Sequence, residues 1–157
     1  DFPKSRIVLL KAFSSEGFIF YSNYQSEKGL SITNHRKVGL SFFWPPLERQ
    51  VIIKGVIKKT TSELSDIYFN SRPKDSQLGA IVSNQSKVIK NRDVLEINLK
   101  ELQIKYKDKE IKRPSHWGGY LVIPKCIEFW QGRPNRLHDR IRCELRRGVW
   151  NLERLAP

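Results

Sequence analysis

The sequence predicts a mainly β fold, an antiparallel barrel with peripheral helices, and three observations carry that reading. About seven short apolar, β-branched or aromatic runs recur along the chain. Most are joined by short turns rich in Gly, Pro, Ser and Asn. A helical period is prominent in one place, between the fourth and fifth runs.

"RIVLLKAF" (Arg6 to Phe13) reads as a buried first strand. "SSEG" is a turn, and "GFIFYSN" is the return strand of a hairpin. "SEK" (Ser26 to Lys28) then begins a short helical stretch. "VGLSFFW" (Val38 to Trp44) is the third strand, stopped by Pro45 and Pro46. "RQVIIKGVIKKT" (Arg49 to Thr60) is the fourth, and its loose alternation predicts one wet face. Thr60 stands three residues before Glu63, a capping-box pattern that opens a helix reaching about Asn70. "RPKDSQLGAIV" opens another, with Pro73 at its first position. "NRDVLEINLKELQIKY" is the clearest helix: Leu95, Leu99, Leu102 and Tyr106 form one apolar stripe, with Asn91 as the cap. "GGYLVIPKCIEFWQG" returns to strand, and "RIRCELRRG" with "VWNLERLAP" makes a final hairpin around Gly148.

At 157 residues the chain suits one domain spanning residues 1–157. Its 39% hydrophobic and 29% charged residues mark a globular rather than disordered chain. No apolar run approaches the ~18 residues that span a bilayer, so no membrane partner is expected. No signal-peptide pattern is present at residues 1–11. Cys126 and Cys143 lack metal-ligand spacing and fit a reduced, cytoplasmic compartment. The chain starts at Asp1 and contains no methionine, which predicts a preceding segment. The net charge of +13 implies an anionic partner, polymeric or small, or else serves solubility.

No P-loop, dinucleotide loop, nucleophile elbow or histidine metal cluster occurs, so any site must be assembled from scattered residues. Arg6 and Lys11 bracket the first strand. Tyr68, Arg72 and Ser76 are spaced four and four. Arg136, His138 and Arg140 are spaced two and two, which on a strand aims them at one face. Each has a plain alternative: a solvated strand end at Lys11, an ordinary helix surface at Tyr68 to Ser76, an exposed face paired with Asp139 or Glu144 at Arg136 to Arg140. Arg, Lys, Ser and Tyr together supply the charge and directed donors that a buried phosphate needs. Two such clusters suit two phosphorylated ligands.

The stretches "RIVLLK", "GFIFYSN", "LERQV", "YFNSRPKDSQLGA", "SNQS", "WGGY", "IEFWQG", "NRLHDR" and "ERLAP" occur in order over nearly the whole chain. By them the sequence closely resembles the pyridoxine (pyridoxamine) 5′-phosphate oxidase family. The resemblance implies a split β-barrel homodimer with two FMN molecules at the subunit interface. It implies oxidation of pyridoxine 5′-phosphate or pyridoxamine 5′-phosphate to pyridoxal 5′-phosphate. A hydride equivalent passes from the 4′ carbon to flavin, dioxygen reoxidises the flavin to give hydrogen peroxide, and the amine substrate releases ammonia.

By resemblance, Arg6, Ile7, Val8, Leu9, Leu10 and Lys11 match a flavin-binding strand, with Arg6 suited to the FMN phosphate. Tyr21, Ser22 and Lys28 match a second flavin segment, and Gln50, Gln85 and Ser86 match polar flavin contacts. Trp130 and Arg140 match residues beside the flavin, where Arg140 is placed to stabilise negative charge on the reduced ring. Lys11, Tyr68, Arg72 and Ser76 match residues for the substrate phosphate. Arg136, Leu137 and His138 match residues at the substrate ring, with Arg136 able to stack on the pyridine. The resemblance leaves open whether His138 moves a proton or positions the substrate.

Two departures stand out. Ser26-Glu27-Lys28 replaces the family pattern Ser-Arg-Lys. A carboxylate aimed at the FMN phosphate costs on the order of 1–3 kcal/mol, and less if Glu27 turns to solvent or pairs with a lysine. The family also has an N-terminal extension over the substrate that this sequence does not contain, which predicts weaker substrate binding. Two other readings compete: a non-catalytic module holding flavin or pyridoxal phosphate, and a nucleic-acid-binding barrel. The resemblance favours the oxidase and implies no nucleic-acid partner.

Overall fold

The computed structural model describes residues 2–157. The strands are β1 (Ala12–Ser14), β2 (Gly17–Asn23), β3 (Lys37–Trp44), β4 (Arg49–Lys59), β5 (Trp117–Gln131), β6 (Asp139–Arg146) and β7 (Val149–Leu155). The helices are α1 (Glu27–Asn34), α2 (Ser62–Asn70), α3 (Lys74–Val82) and α4 (Asp93–Lys105). All strands join one antiparallel sheet in the order β1-β2-β5-β4-β3, with β6 on β5 and β7 on β6.

The 15-residue β5 organises this sheet. One edge pairs with β4 from Tyr120 to Gln131. The other edge is shared: β2 takes Trp117 to Val122, and β6 takes Cys126 to Gln131. Between them the register slips at Lys54/Gly55, where β5 carries Pro124 and an extra residue. Pro124 has no N–H to give a neighbour, and a bulge bends the strand there. The sheet therefore curls and divides at this point, as a split barrel does.

The core lies at one end of β5. Phe20, Ile57, Tyr120 and Val122 are buried together inside the curl. Phe69, Leu78, Ile111 and Trp117 fill the space between the sheet and α2–α4. The predicted stripe of α4 seals the second cluster with Leu99, Leu102 and Tyr106. The other end of β5 has no such cover: Phe129, Val149, Trp150 and Leu152 stay exposed, Leu152 by 71%. Among the described residues, no helix is long and apolar enough to cross a membrane.

The local signals hold with small shifts. Thr61, not Thr60, caps α2, its Oγ1 accepting from the Leu64 N–H. Pro73 sits at the N-cap of α3 rather than its first position. Asn91 does cap α4, its Oδ1 accepting from the Val94 N–H, although Arg92 intervenes with helical angles. Arg147 and Gly148 both have positive φ, the tight hairpin turn expected between β6 and β7.

One expectation fails. Arg6 to Phe13 is not a buried strand, because ladder pairing begins at Ala12. Before it, the backbone bond to β2 is Lys11 N–H to Ile19 O. Ile7 is 98% and Leu9 67% exposed. A β-branched run needs a neighbour to become a strand, and although β2 continues to Asn23, its ladder to the N-terminal segment stops at Ala12.

Candidate functional site

Side chains from six parts of the chain converge on a cavity of about 590 Å³. Ile7, Val8, Leu9 and Lys11 form one wall from the extended N-terminal segment. β2 gives Tyr21, Ser22 and Asn23, and the first turn of α1 gives Lys28. Tyr68, Arg72 and Ser76 come from α2, α3 and the turn between them. Gln85 follows α3, and Trp117 opens β5. The size suits a cofactor or a drug-sized ligand.

A polar corner forms where α1 meets β2. Ser26 caps α1, its Oγ accepting from the Gly29 N–H, and this fixes Lys28 beside the cavity. Gly29 is required there, since a Cβ would lie 2.2 Å from the Tyr24 carbonyl oxygen. Lys28 Nζ donates to Ser22 Oγ at 2.5 Å, and Ser22 Oγ donates to Gln85 Oε1 at 3.4 Å. Burial, then the nearby Arg6 charge, pushes the Lys28 ammonium below its ordinary pKa.

The opposite side is an aromatic floor carrying cations. Tyr21 stacks on Tyr68 at 3.9 Å and on Trp117 at 5.5 Å between ring centroids. The Arg72 guanidinium lies over Trp117 at 4.7 Å, and Lys11 Nζ lies 5.8 Å from the Tyr68 ring. One Arg72 nitrogen, Nη1, is buried with no hydrogen-bond partner among the described residues. Burial lowers the Arg72 pKa, yet an arginine stays charged. A desolvated guanidinium with an unused donor awaits an anion. Among the described residues, no carboxylate lines the cavity.

Arg113 sets this floor from behind. Its guanidinium donates to Asp66 Oδ1 at 2.6 Å, Ser62 Oγ at 2.8 Å and the Trp117 carbonyl at 2.7 Å. It thus ties the start of β5 to the helix bearing Tyr68. Sequence reasoning missed Arg113, Trp117, Asn23 and Ser83. Trp117 lay in the quoted "WGGY" stretch, but nothing local separates a cavity tryptophan from a core one.

Of the expected site residues, Ile7, Val8, Leu9, Lys11, Tyr21, Ser22, Lys28, Tyr68, Arg72, Ser76 and Gln85 line this cavity. Arg6 and Leu10 do not; Arg6 reaches Glu27 instead, Nη2 to Oε2 3.4 Å. Ser86 follows Gln85 with a φ of 71° but lies off the lining. Gln50 bonds to Ser41 Oγ on the neighbouring strand. Trp130, Arg136, Leu137, His138 and Arg140 gather at the far end of β5. Trp117 and Trp130 are thirteen residues apart on that strand, roughly 40 Å of extended chain.

The far group has its own order. The Arg136–His138–Arg140 spacing does not form one strand face, because β6 begins only at Asp139. Asn135 and Arg136 both take positive φ in a tight turn that interrupts the two-residue period. His138 packs against Trp130 at 4.8 Å, and its Nδ1 accepts from the Arg133 N–H. That bond leaves the proton of the neutral ring on Nε2. Arg140 Nε donates to Glu128 Oε1 at 2.7 Å.

Comparison with known proteins places both halves of the chain. Residues 2–106 match the family model described as pyridoxamine 5′-phosphate oxidase. Residues 117–157 match the pyridoxine 5′-phosphate oxidase C-terminal dimerisation region. A pyridoxine/pyridoxamine 5′-phosphate oxidase of Flavobacterium psychrophilum is 62% identical, over 99% of this chain and 73% of its own length. That of Flavobacterium johnsoniae is 61% identical over the same shares. Among solved structures, PhzG from Burkholderia lata in complex with tetrahydrophenazine-1-carboxylic acid superposes with a TM-score of 0.92 at 25% identity. The match covers 98% of this chain and 75% of that one. A pyridoxamine 5′-phosphate oxidase-related, FMN-binding protein of Nostoc punctiforme shares the fold, with a TM-score of 0.75 at 14% identity. It covers 97% of this chain and 80% of that one.

Proposed function

The chain belongs to the pyridoxine/pyridoxamine 5′-phosphate oxidase family, and from that premise we propose that its cavity holds FMN and a phosphorylated B6 vitamer together. The chain is an FMN-dependent oxidase that converts pyridoxine 5′-phosphate or pyridoxamine 5′-phosphate to pyridoxal 5′-phosphate. FMN, when bound, supplies the electron acceptor for the substrate's 4′ carbon and passes the electrons to dioxygen, giving hydrogen peroxide.

The observation that carries this reading is the orphaned Arg72 nitrogen in a cavity that has no carboxylate among its described lining residues. Arg72, with Lys11, Tyr68 and Ser76 around it, binds the substrate phosphate. Lys28, Ser22 and Gln85 hold polar groups of the flavin, and Arg6 supports its phosphate. The stacked Tyr21, Tyr68 and Trp117 keep water from that side of the cavity.

The active unit is a homodimer. Two groups at opposite ends of β5 meet when the far end of one protomer closes the cavity of the other. The apolar surface left open on β5 and β7, within the segment that matches a dimerisation region, supports this arrangement. His138 then offers its Nε2 proton to a substrate oxygen or nitrogen, and Arg136 stacks on the substrate ring. Arg140, fixed by Glu128, stabilises charge gained by the flavin.

Purified protein is expected to be yellow and to lose its visible flavin absorbance when either vitamer is added without oxygen. FMN uptake with no bleaching by pyridoxine 5′-phosphate or pyridoxamine 5′-phosphate would remove the oxidase reading.

A further inference from the structure

Glu27 is a carboxylate beside a cavity that otherwise presents cations. It opens α1 and immediately precedes Lys28, which lines the cavity. Its two oxygens face different partners. Lys4 Nζ lies 2.5 Å from Oε1, and Arg6 Nη2 lies 3.4 Å from Oε2. The Lys4 hydrogen bond, more than any other contact, holds the Glu27 carboxyl below the usual carboxylate range. Arg6 makes the longer of the two contacts, within hydrogen-bond reach of Glu27, and its charge also depresses Lys28.

We propose that Lys4 is an affinity-determining residue for the phosphate-bearing cofactor: it occupies Glu27 as a counter-ion and leaves Arg6 and Lys28 to the ligand. Without Lys4, Glu27 has Arg6 as its nearest cation and claims it, and the carboxylate field acts on the incoming phosphate. Lys4 lies outside the cavity and works through Glu27, so it is a positioning residue. The proposal rests on the reading that FMN occupies the cavity.

The test strips the protein of flavin and titrates it with FMN and, separately, with riboflavin, which lacks the phosphate. Flavin fluorescence reports binding at low and high ionic strength. Lys4→Gln should weaken FMN by about two- to five-fold at low salt, with the loss fading at ~1 M salt. Riboflavin binding should not change. Glu27→Gln should bind FMN at least as well as the parent, and Lys4→Gln/Glu27→Gln should recover the parent affinity. That recovery separates neutralisation from tethering, since the double variant has lost the tether too. A double variant as weak as Lys4→Gln, an unchanged FMN affinity in Lys4→Gln, or an equal loss for riboflavin overturns the inference while the cofactor reading stands. Failure of the parent protein to bind FMN overturns that reading and the inference with it.

Discussion

Arg72→Met separates what Arg72 does for the ligand from what it does for the fold. Methionine keeps an unbranched apolar side chain against Trp117 and Phe69 and removes the charge. A hydrogen bond from a charged group contributes about 1.5–3 kcal/mol, so affinity for a phosphorylated vitamer should fall roughly ten- to 150-fold. Stability moves differently. The buried, unpartnered Nη1 costs the ligand-free fold about 1–3 kcal/mol, which the substitution relieves. The lost stacking of the guanidinium on Trp117 takes back about 0.5–2 kcal/mol. The net lies between about −1 and +2.5 kcal/mol, so the melting temperature of the ligand-free protein should shift by between about −3 and +8 °C. KM for pyridoxine 5′-phosphate, set beside that for unphosphorylated pyridoxine, gives the first effect, and thermal melting gives the second. Equal losses for both substrates, or a melting point several degrees lower with KM unchanged, would refute the assignment of Arg72 to the phosphate.

Three further outcomes follow from charge and from the divided site. The Lys28 pKa is depressed below 10.5, so in the window beneath that value the unfolded chain binds more protons than the folded one. Ligand-free stability should then rise with pH through this window while FMN affinity falls, and Lys28→Arg should flatten both curves in melts and titrations. Asp139 is held low by Arg133 and Arg154, and Glu153 chiefly by Arg142. Depressed carboxylates stabilise above their ordinary values and lose that contribution as pH falls through the folded ones, so melting points should drop below about pH 4.5, and Asp139→Asn with Glu153→Gln should remove that acid-dependent part. Mixing Arg72→Met with His138→Ala chains and allowing exchange should restore about a quarter of parent activity, because heterodimers hold one intact site; no recovery would mean that both residues serve the same protomer's cavity.

The barrel was legible because strand and helix periods are local properties, as were the short helix beginning at Ser26 to Lys28, the α4 stripe and the turn at Gly148. The cavity was not. Its lining comes from residues as far apart as Ile7 and Trp117, and no spacing rule joins them; the residues alone singled out Lys11, Tyr68, Arg72 and Ser76, and resemblance named seven more of the lining. Two local rules also misled. "RIVLLK" has the composition of a buried strand, but composition reports a preference for cover without saying which chain provides it, and Ile7 and Leu9 lack it here. The two-residue spacing of Arg136, His138 and Arg140 assumed extended backbone, whereas two left-handed residues place a turn there. Thr60 and Thr61 show a finer limit: the capping-box pattern with Glu63 points to Thr60, yet the side-chain bond from the Leu64 N–H is made to Thr61.

The positive charge shows why density in sequence is a poor guide to a site. The stretch from Glu128 to Gly148 holds six arginines, the densest run of arginine in the chain. Four of them, Arg133, Arg140, Arg142 and Arg146, face carboxylates on the same or an adjacent strand or turn. Those pairs are partly exposed and add little stability, but they leave little net field to attract an anion. Lys11, Lys28 and Arg72 are sparse in sequence and come from three separate elements, and none has a carboxylate partner among the described residues. Unpaired cations on the low-dielectric wall of a concave site focus potential where a phosphate can use it. What marks Lys11, Lys28 and Arg72 is therefore the absence of counter-ions together with a place on the cavity wall. On that criterion Glu27, already engaged by Lys4, interrupts the cavity's cationic end without cancelling it.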